Sequence, residues 1–320
     1  MIAGPLVLGI DTSCYRTSLA LVSDGAVVAE QRRLIEVPGG SRGLRQSEAL
    51  FQHVQHLGTL CEALMRDAPG ASPSAVCVST RPRPVCGSYM PVFTAGEMAA
   101  RMIAATCGCP LYETSHQQGH LRAALIGSDL PPGAFLAVHL SGGTTEILRV
   151  DEGLNVTLLG GTSDLHAGQL VDRVGVAMGL PFPAGPALEA LARGTAPRHV
   201  MPTANRALSL SLSGAEAQAL RMIEAGEPPA QVAAEIYSLL ARTLAKLIAE
   251  AAAGTGLTRV LIAGGVAASA LLRSLLPERL MRLGAPVRIC WAEPRWSGDN
   301  AAGVALIGAE QWTKERGASA

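Results

Sequence analysis

Two stretches decide the fold: Leu6–Glu30, LVLGIDTSCYRTSLALVSDGAVVAE, and Phe135–Gly160, FLAVHLSGGTTEILRVDEGLNVTLLG. Both follow one plan. Each reads as an apolar strand, a small polar turn (Asp11-Thr12-Ser13 or Ser141-Gly142-Gly143-Thr144), a second strand, a tight turn at Asp24-Gly25 or Asp151-Glu152-Gly153, and a third strand. An antiparallel meander therefore opens each half of the chain. Working outward, the first meander is followed by a helical pattern at Gln46–Met65, a strand at Ala75–Ser79, a helix at Ala95–Thr106 and a strand at Pro110–Glu113. Behind the second come helical patterns at Gln169–Met178, Pro186–Arg193, Gly214–Ala225 and Ala230–Ala253. A strand at Arg259–Ala263, a helix at Ser269–Leu283, a strand at Val287–Trp291 and a helix at Asn300–Lys314 complete it.

Three strands followed by alternating helices and strands, twice over, predict a duplicated α/β fold with two lobes. This is the plan of the actin, hexokinase and Hsp70 (ASKHA) class, in which each lobe presents a polar turn to a nucleotide and small residues let backbone N–H groups reach the phosphates. The expected lobes are residues 1–130, with the helix at 300–320 returning to them, and residues 131–299.

The composition narrows the function. Hydrophobic residues are 48% and charged ones 16% of 320 residues, which excludes a disordered polar chain. Lys plus Arg and Asp plus Glu are 26 each, so no global field draws the chain to nucleic acid, and a nucleic-acid partner has to be recognised locally. Aromatic residues at 3% leave little with which to stack single-stranded bases. Seven cysteines in an odd, scattered set fit neither a disulfide framework nor a zinc ribbon, so reduced thiols and a cytoplasmic setting are expected. The most apolar run, Val260–Leu272, is short and broken by Gly264-Gly265, so no membrane span is expected.

Several constellations carry chemistry. Ser115 followed by Gln118 has capping-box spacing, and the helix it starts puts His116 and His120 one turn apart on one face, where two imidazoles can ligate one metal. The best third ligand is Asp299, whose alternative is to cap the last helix. Two imidazoles and a carboxylate suit Fe(II) or Zn(II) as Lewis acid. Because Gln117 follows His116 where a metalloprotease has its Glu base, peptide hydrolysis is disfavoured. Ser141–Thr144 is a phosphate-loop candidate or an ordinary hairpin turn. Gly264-Gly265, between strand and helix, is a nucleotide turn or a point of tight packing. Asp172 and Glu189 either bind ribose hydroxyls or are solvated. Arg42, Arg45, Arg81 and Arg83 are local candidates for RNA phosphates, or else solvated.

Together these segments resemble the tRNA threonylcarbamoyladenosine transferase family, TsaD in bacteria, formerly grouped with M22 glycoproteases. LGIDTSCYRTSLAL looks like its opening strand and turn, TSHQQGHL like its metal helix and LSGGTTEIL like its Ser-Gly-Gly-His-Thr loop. HAGQLVDRVGVAMGLPFPAGPALEALA, LSLSGAEA, VLIAGGVAAS and SGDNAAGVALIGA match further family segments in order. The resemblance implies one catalytic Fe(II) or Zn(II) at His116, His120 and Asp299. It also implies ATP or threonylcarbamoyl-adenylate at Asp11, Ser13, Ser141, Gly142, Gly143, Thr144, Asp172, Gly185, Glu189, Gly264, Gly265 and Ser269. It implies transfer of a threonylcarbamoyl group to the tRNA adenine beside the anticodon, with a paired paralogue and a small ATPase as partners.

The chain departs from that pattern where function should sit. Tyr15-Arg16 replaces an acidic pair, Gln118 a Glu, Thr144 a His, Gln169 a Glu, Glu216 a Lys and Ser269 an Asn, and Arg81–Gly87 replaces a Gly-Pro-Gly-Leu segment. The rival readings are a carbamoyl transferase acting on a small molecule and a non-catalytic scaffold paralogue.

Overall fold

The computed structural model describes residues 4–13, 15–36 and 44–318. Its strands and helices run β1 (Leu6–Ser13), β2 (Arg16–Ser23), β3 (Ala26–Leu34), α1 (Gln46–Asp67), β4 (Ala75–Arg81), α2 (Phe93–Cys107), β5 (Leu111–Ser115) and α3 (His116–Ala124). They continue with β6 (Phe135–Leu140), β7 (Thr145–Asp151), β8 (Asn155–Thr162), α4 (Ala167–Ala177), α5 (Gly185–Ala192), β9 (Ala204–Arg206) and β10 (Ser209–Ser211). Last come α6 (Ser213–Glu224), α7 (Pro229–Thr255), β11 (Arg259–Ala263), α8 (Ala270–Arg282), β12 (Arg288–Trp291) and α9 (Ala302–Ala318). The chain forms two compact units, one of residues up to Ile126 together with those from Gly298 onward, the other Gly127–Ser297.

The first unit is built on a five-stranded sheet in the order β3-β2-β1-β4-β5. Strands β1, β2 and β3 are the antiparallel meander, and β4 and β5 run parallel to β1. Every residue of β1 is buried because helices cover both of its faces. Leu8 and Ile10 join Leu19, Leu21, Leu57, Leu64 and Ala100 in one core, while the intervening Gly9 lies against Ala301 and Ala305 of the α9 segment. Each such leucine or isoleucine contributes about 2 kcal/mol of burial. The polar Asp11-Thr12-Ser13, expected as a turn, belongs instead to β1, whose ladder with β2 runs to the pair Ser13 and Arg16. Backbone pairing sets this boundary, and the polarity of the three residues had masked it.

The second unit repeats the order. Its sheet runs β12-β11-β6-β7-β8-β10-β9, with β6, β7 and β8 antiparallel and β11 and β12 parallel to β6. Helix α7 is its central support, with Ile236, Leu240, Leu244, Leu247 and Ile248 all buried in the core. The hairpin of β9 and β10, absent from the sequence reading, extends the sheet beyond β8. Among the described residues no helix is long and apolar enough to cross a membrane.

Candidate functional site

The site in the first unit is assembled by a helix start, a helix crossing and a hairpin. Ser115 caps α3, its hydroxyl accepting from the Gln118 amide at 3.2 Å while the Gln118 side chain reaches back to the Ser115 amide. His116 and His120 therefore open α3 on one face, with ring centroids 4.4 Å apart and planes near perpendicular at 84°. Helix α9 crosses α3 at Gly303, where a Cβ would lie 1.9 Å from the carbonyl oxygen of Gly119. Only glycine allows that approach, and it brings the turn before α9 to the histidines.

Within that turn Asn300, not Asp299, caps the helix. Its Oδ1 accepts from the amides of Ala302 and Gly303 at 3.1 and 3.4 Å, and its amide group donates to the Gly298 carbonyl at 2.7 Å. The Asp299 carboxylate is thereby left to face the imidazoles. Its Oδ1 lies 2.7 Å from His120 Nε2 and 3.5 Å from His116 Nε2. His116 Nδ1 is 2.9 Å from Oδ1 of Asp11, a fully buried carboxylate that also accepts from the Ser79 hydroxyl. This contact fixes the His116 ring with Nε2 toward Asp299. Ser13 donates to Asp299 Oδ2 at 3.1 Å and the Arg16 guanidinium donates to the Asp299 carbonyl at 2.9 Å.

Electrostatics tie the group together. Burial pushes the His116 pKa down, but the charge and hydrogen bond of Asp11, with those of Asp299, outweigh it and hold His116 well above the ordinary imidazole value. Burial likewise pushes Asp299 up, and the hydrogen bonds and charges of His116 and His120 hold it well below the usual carboxylate range. One ligand atom from each of His116, His120 and Asp299 falls within 4.8 Å of the others. Ligands at about 2.1 Å in tetrahedral array are roughly 3.4 Å apart, so the His116 to Asp299 separation already suits one cation. The His120 to Asp299 pair has only to open from its hydrogen bond. Two imidazoles and a carboxylate, with an outer carboxylate on one imidazole, fit a divalent transition metal.

The second unit gathers the remaining candidates in two places. Ser141, Gly142, Gly143 and Thr144 form the turn joining β6 to β7, closed by the Ser141 amide donating to the Thr144 carbonyl at 2.8 Å, with both glycines exposed. Gly264 has φ +102°, and a Cβ there would lie 2.2 Å from the Leu140 carbonyl oxygen, so the Gly264-Gly265 turn packs against the end of β6 next to Ser141. Packing alone thus accounts for Gly264. These turns lie at the carboxyl ends of adjacent parallel strands, where open α/β sheets take ligands.

The second place centres on Tyr237, which the sequence reading missed. Its hydroxyl donates to the Gly185 carbonyl at 3.2 Å. Burial first, then the charge of Glu189, pushes that hydroxyl above its ordinary range. Asp172 accepts from the Ala184 amide at 2.8 Å, and burial raises its pKa. Glu189 is not solvated: it is 8% exposed and accepts from the Leu271 amide at 3.1 Å, while Ser269 accepts from the Leu272 amide at 3.1 Å. Both hold the first turn of α8, whose orphan amides need acceptors. Elsewhere Glu216 pairs with Arg173 at 3.3 Å, and Arg81 donates to the Thr80 hydroxyl at 3.2 Å. Arg42 lies outside the described residues. The six described cysteines are all free thiols.

The chain is 34% identical over 322 residues to the tRNA N6-adenosine threonylcarbamoyltransferase of Polaromonas sp. (strain JS666 / ATCC BAA-500), covering 94% of this chain and 90% of that one. Among solved structures it resembles the Acidaminococcus fermentans (R)-2-hydroxyglutaryl-CoA dehydratase component A, with TM-score 0.58, 16% identity and coverage of 97% and 99%. The ROK hexokinase of Thermus thermophilus matches with TM-score 0.51, 18% identity and coverage of 97% and 99%. These two likenesses show a fold of the ASKHA class. The model of one family, described as TsaD: tRNA N6-adenosine threonylcarbamoyltransferase, matches residues 26–306, and this chain belongs to that family.

Proposed function

We propose that the chain transfers a threonylcarbamoyl group from threonylcarbamoyl-adenylate to the exocyclic amine of the tRNA adenine beside the anticodon. The observation that carries this reading is the His116, His120 and Asp299 cluster within a chain of this family. A C–N bond forms between adenine N6 and the carbamoyl carbon, the bond from that carbon to the AMP phosphate oxygen breaks, and N6 gives up a proton.

His116, His120 and Asp299 would hold one Fe(II) or Zn(II), which when bound supplies a Lewis acid for the carbamoyl carbonyl oxygen. Asp11 keeps the His116 ring oriented through Nδ1, so Nε2 is presented without a rotamer search. In the second unit the amides of the Ser141–Thr144 turn would meet phosphate oxygens, while Asp172, with Gly185 beside it, would take ribose hydroxyls. Gly142 and Gly143 suit that role because no side chain stands over them. The paired paralogue and the small ATPase belong to the same reading as partners.

A second reading rests on Glu216. Where the resemblance has a lysine, this chain has a carboxylate paired with Arg173, which removes a cation that would meet RNA phosphates and favours a small-molecule acceptor. Following adenylate consumption by the metal-loaded chain with and without unmodified tRNA separates the two. Consumption that depends on tRNA supports the first reading, and equal consumption without tRNA, with the threonylcarbamoyl group recovered on an added small amine and not released by hydrolysis, supports the second.

A further inference from the structure

The cluster is held from outside by one face of one hairpin. In β1 the side chains of Asp11 and Ser13 are two residues apart and so share a face, and Arg16 is the direct cross-strand partner of Ser13 at the last pair of the ladder, which puts it on that face too. Thr12, on the opposite face, is engaged elsewhere: its hydroxyl donates to the Val92 carbonyl at 3.0 Å and accepts from the Gly96 amide at 3.2 Å. On that face Ser18, opposite Asp11, donates to the Asp11 carbonyl at 3.4 Å, and the side chains of Asp11, Ser13 and Arg16 go to the cluster. Asp11 takes His116 Nδ1, Ser13 takes Asp299 Oδ2, and Arg16 takes the Asp299 carbonyl.

We infer that Ser13 and Arg16 are positioning residues that clamp Asp299 as a cation ligand, an inference that rests on the cation reading of His116, His120 and Asp299. Asp299 has no regular element of its own, since it precedes α9 and leaves the capping to Asn300. Its carboxylate is free to rotate about two side-chain torsions unless something fixes Oδ2 and the main chain. Ser13, 3% exposed, fixes Oδ2 and so aims Oδ1 at the imidazoles. Arg16 fixes the peptide that carries the side chain, its guanidinium nitrogen lying 3.3 Å from where a Cβ on Gly298 would stand. An acidic residue in place of Arg16 has no proton to donate to that carbonyl, so the second grip comes with this chain's departure from the family pattern. The positive charge of Arg16 by itself opposes cation binding, which gives the inference a definite sign to be tested: removing the arginine weakens binding if the grip dominates and tightens it if charge dominates.

The test is Co(II) affinity of the full chain, by competition with a chromophoric chelator, and the visible Co(II) spectrum, for wild type, Ser13→Ala, Arg16→Gln, Arg16→Lys and His116→Ala. Far-UV circular dichroism and urea midpoints establish that each variant is folded. Expected are binding that His116→Ala abolishes, affinity lower by on the order of tenfold in Ser13→Ala and in Arg16→Gln with altered spectra, and partial recovery in Arg16→Lys. Wild-type affinity and spectrum in folded Ser13→Ala, or tighter binding in Arg16→Gln, overturns the clamp. If wild type takes up no Co(II), or His116→Ala binds like wild type, the cation reading itself falls, and the clamp with it.

Discussion

Replacing Gly303 by alanine tests how the fold makes the site. The new Cβ would stand 1.9 Å from the Gly119 carbonyl oxygen and 2.6 Å from the Ala123 amide nitrogen, both backbone atoms of α3. Ordinary contact needs roughly 3.2–3.4 Å, so α9 has to retreat by about 1.3 Å or α3 has to yield. Overpacking of this kind costs typically 1–3 kcal/mol, and a clash with backbone on both atoms places this change at the upper end, about 3 kcal/mol. The same retreat acts on the 2.7 Å contact between His120 and Asp299, because His120 follows Gly119 and Asp299 precedes α9. Stability and cation affinity should therefore fall together, the latter by at least about tenfold. Urea unfolding and chelator competition on the same preparation read both quantities. Gly58→Ala is the control: it lies mid-helix in α1 with nothing within 4 Å of its Cβ position, so it should stabilise by about 0.5–1 kcal/mol. A Gly303→Ala protein with unchanged urea midpoint and unchanged affinity would refute the argument that this crossing sets the geometry.

Other expectations concern single side chains. Asn300→Ala removes the acceptor for the Ala302 and Gly303 amides and should lower stability by about 1 kcal/mol in urea unfolding. In Asp164 desolvation favours the neutral acid, but hydrogen bonds from the Ser211 and Ser213 groups and the Leu212 and Leu165 amides outweigh it and hold its pKa well below the carboxylate range. A depressed acid stabilises above its unfolded pKa of about 3.9, and that contribution drains away as pH falls from there toward the folded value. Asp164→Asn should thus cost about 1 kcal/mol at pH 7, discounted for its exposure, with the gap to wild type narrowing below about pH 4 in urea midpoints measured across pH. Tyr237→Phe removes the donor to Gly185 and should weaken binding of an adenine nucleotide without affecting Co(II) affinity, as calorimetry would show.

How far the sequence carried the account differs by element. The two meanders were legible because apolar runs of strand length are broken by Asp24-Gly25 and by the Asp151–Gly153 turn, and the capping box at Ser115 placed both histidines on one helix face. The β9 and β10 hairpin was not legible, since its strands have three residues each and its turn uses Ala207 and Leu208 at φ 46° and 61°, positions that ordinarily announce themselves as Gly or Asn. Asp299 was ambiguous between cap and ligand, because the neighbouring Asn300 is equally able to cap, and only the backbone path decides which side chain turns inward. The partners of the cluster, Asp11 and Arg16, lie in sequence more than 100 residues from at least one group they hold, and only the register of β1 with β2 shows that they share a face. Reading the alternation of Asp11 and Ser13 as strand period rather than turn would have revealed it. Tyr237 gave no local signal, being one apolar-patterned position on a helix buried along most of its length.

Acyl transfer by this chain should depend on the His116, His120 and Asp299 cluster. Mass spectrometry of tRNA nucleosides, after incubating the metal-loaded chain with threonylcarbamoyl-adenylate and unmodified tRNA beside a His116→Ala control, addresses it most directly. Threonylcarbamoyladenosine is expected with the wild-type chain and none with the variant. Equal product from both proteins, or adenylate consumed at the same rate with no modified nucleoside formed, would contradict this expectation.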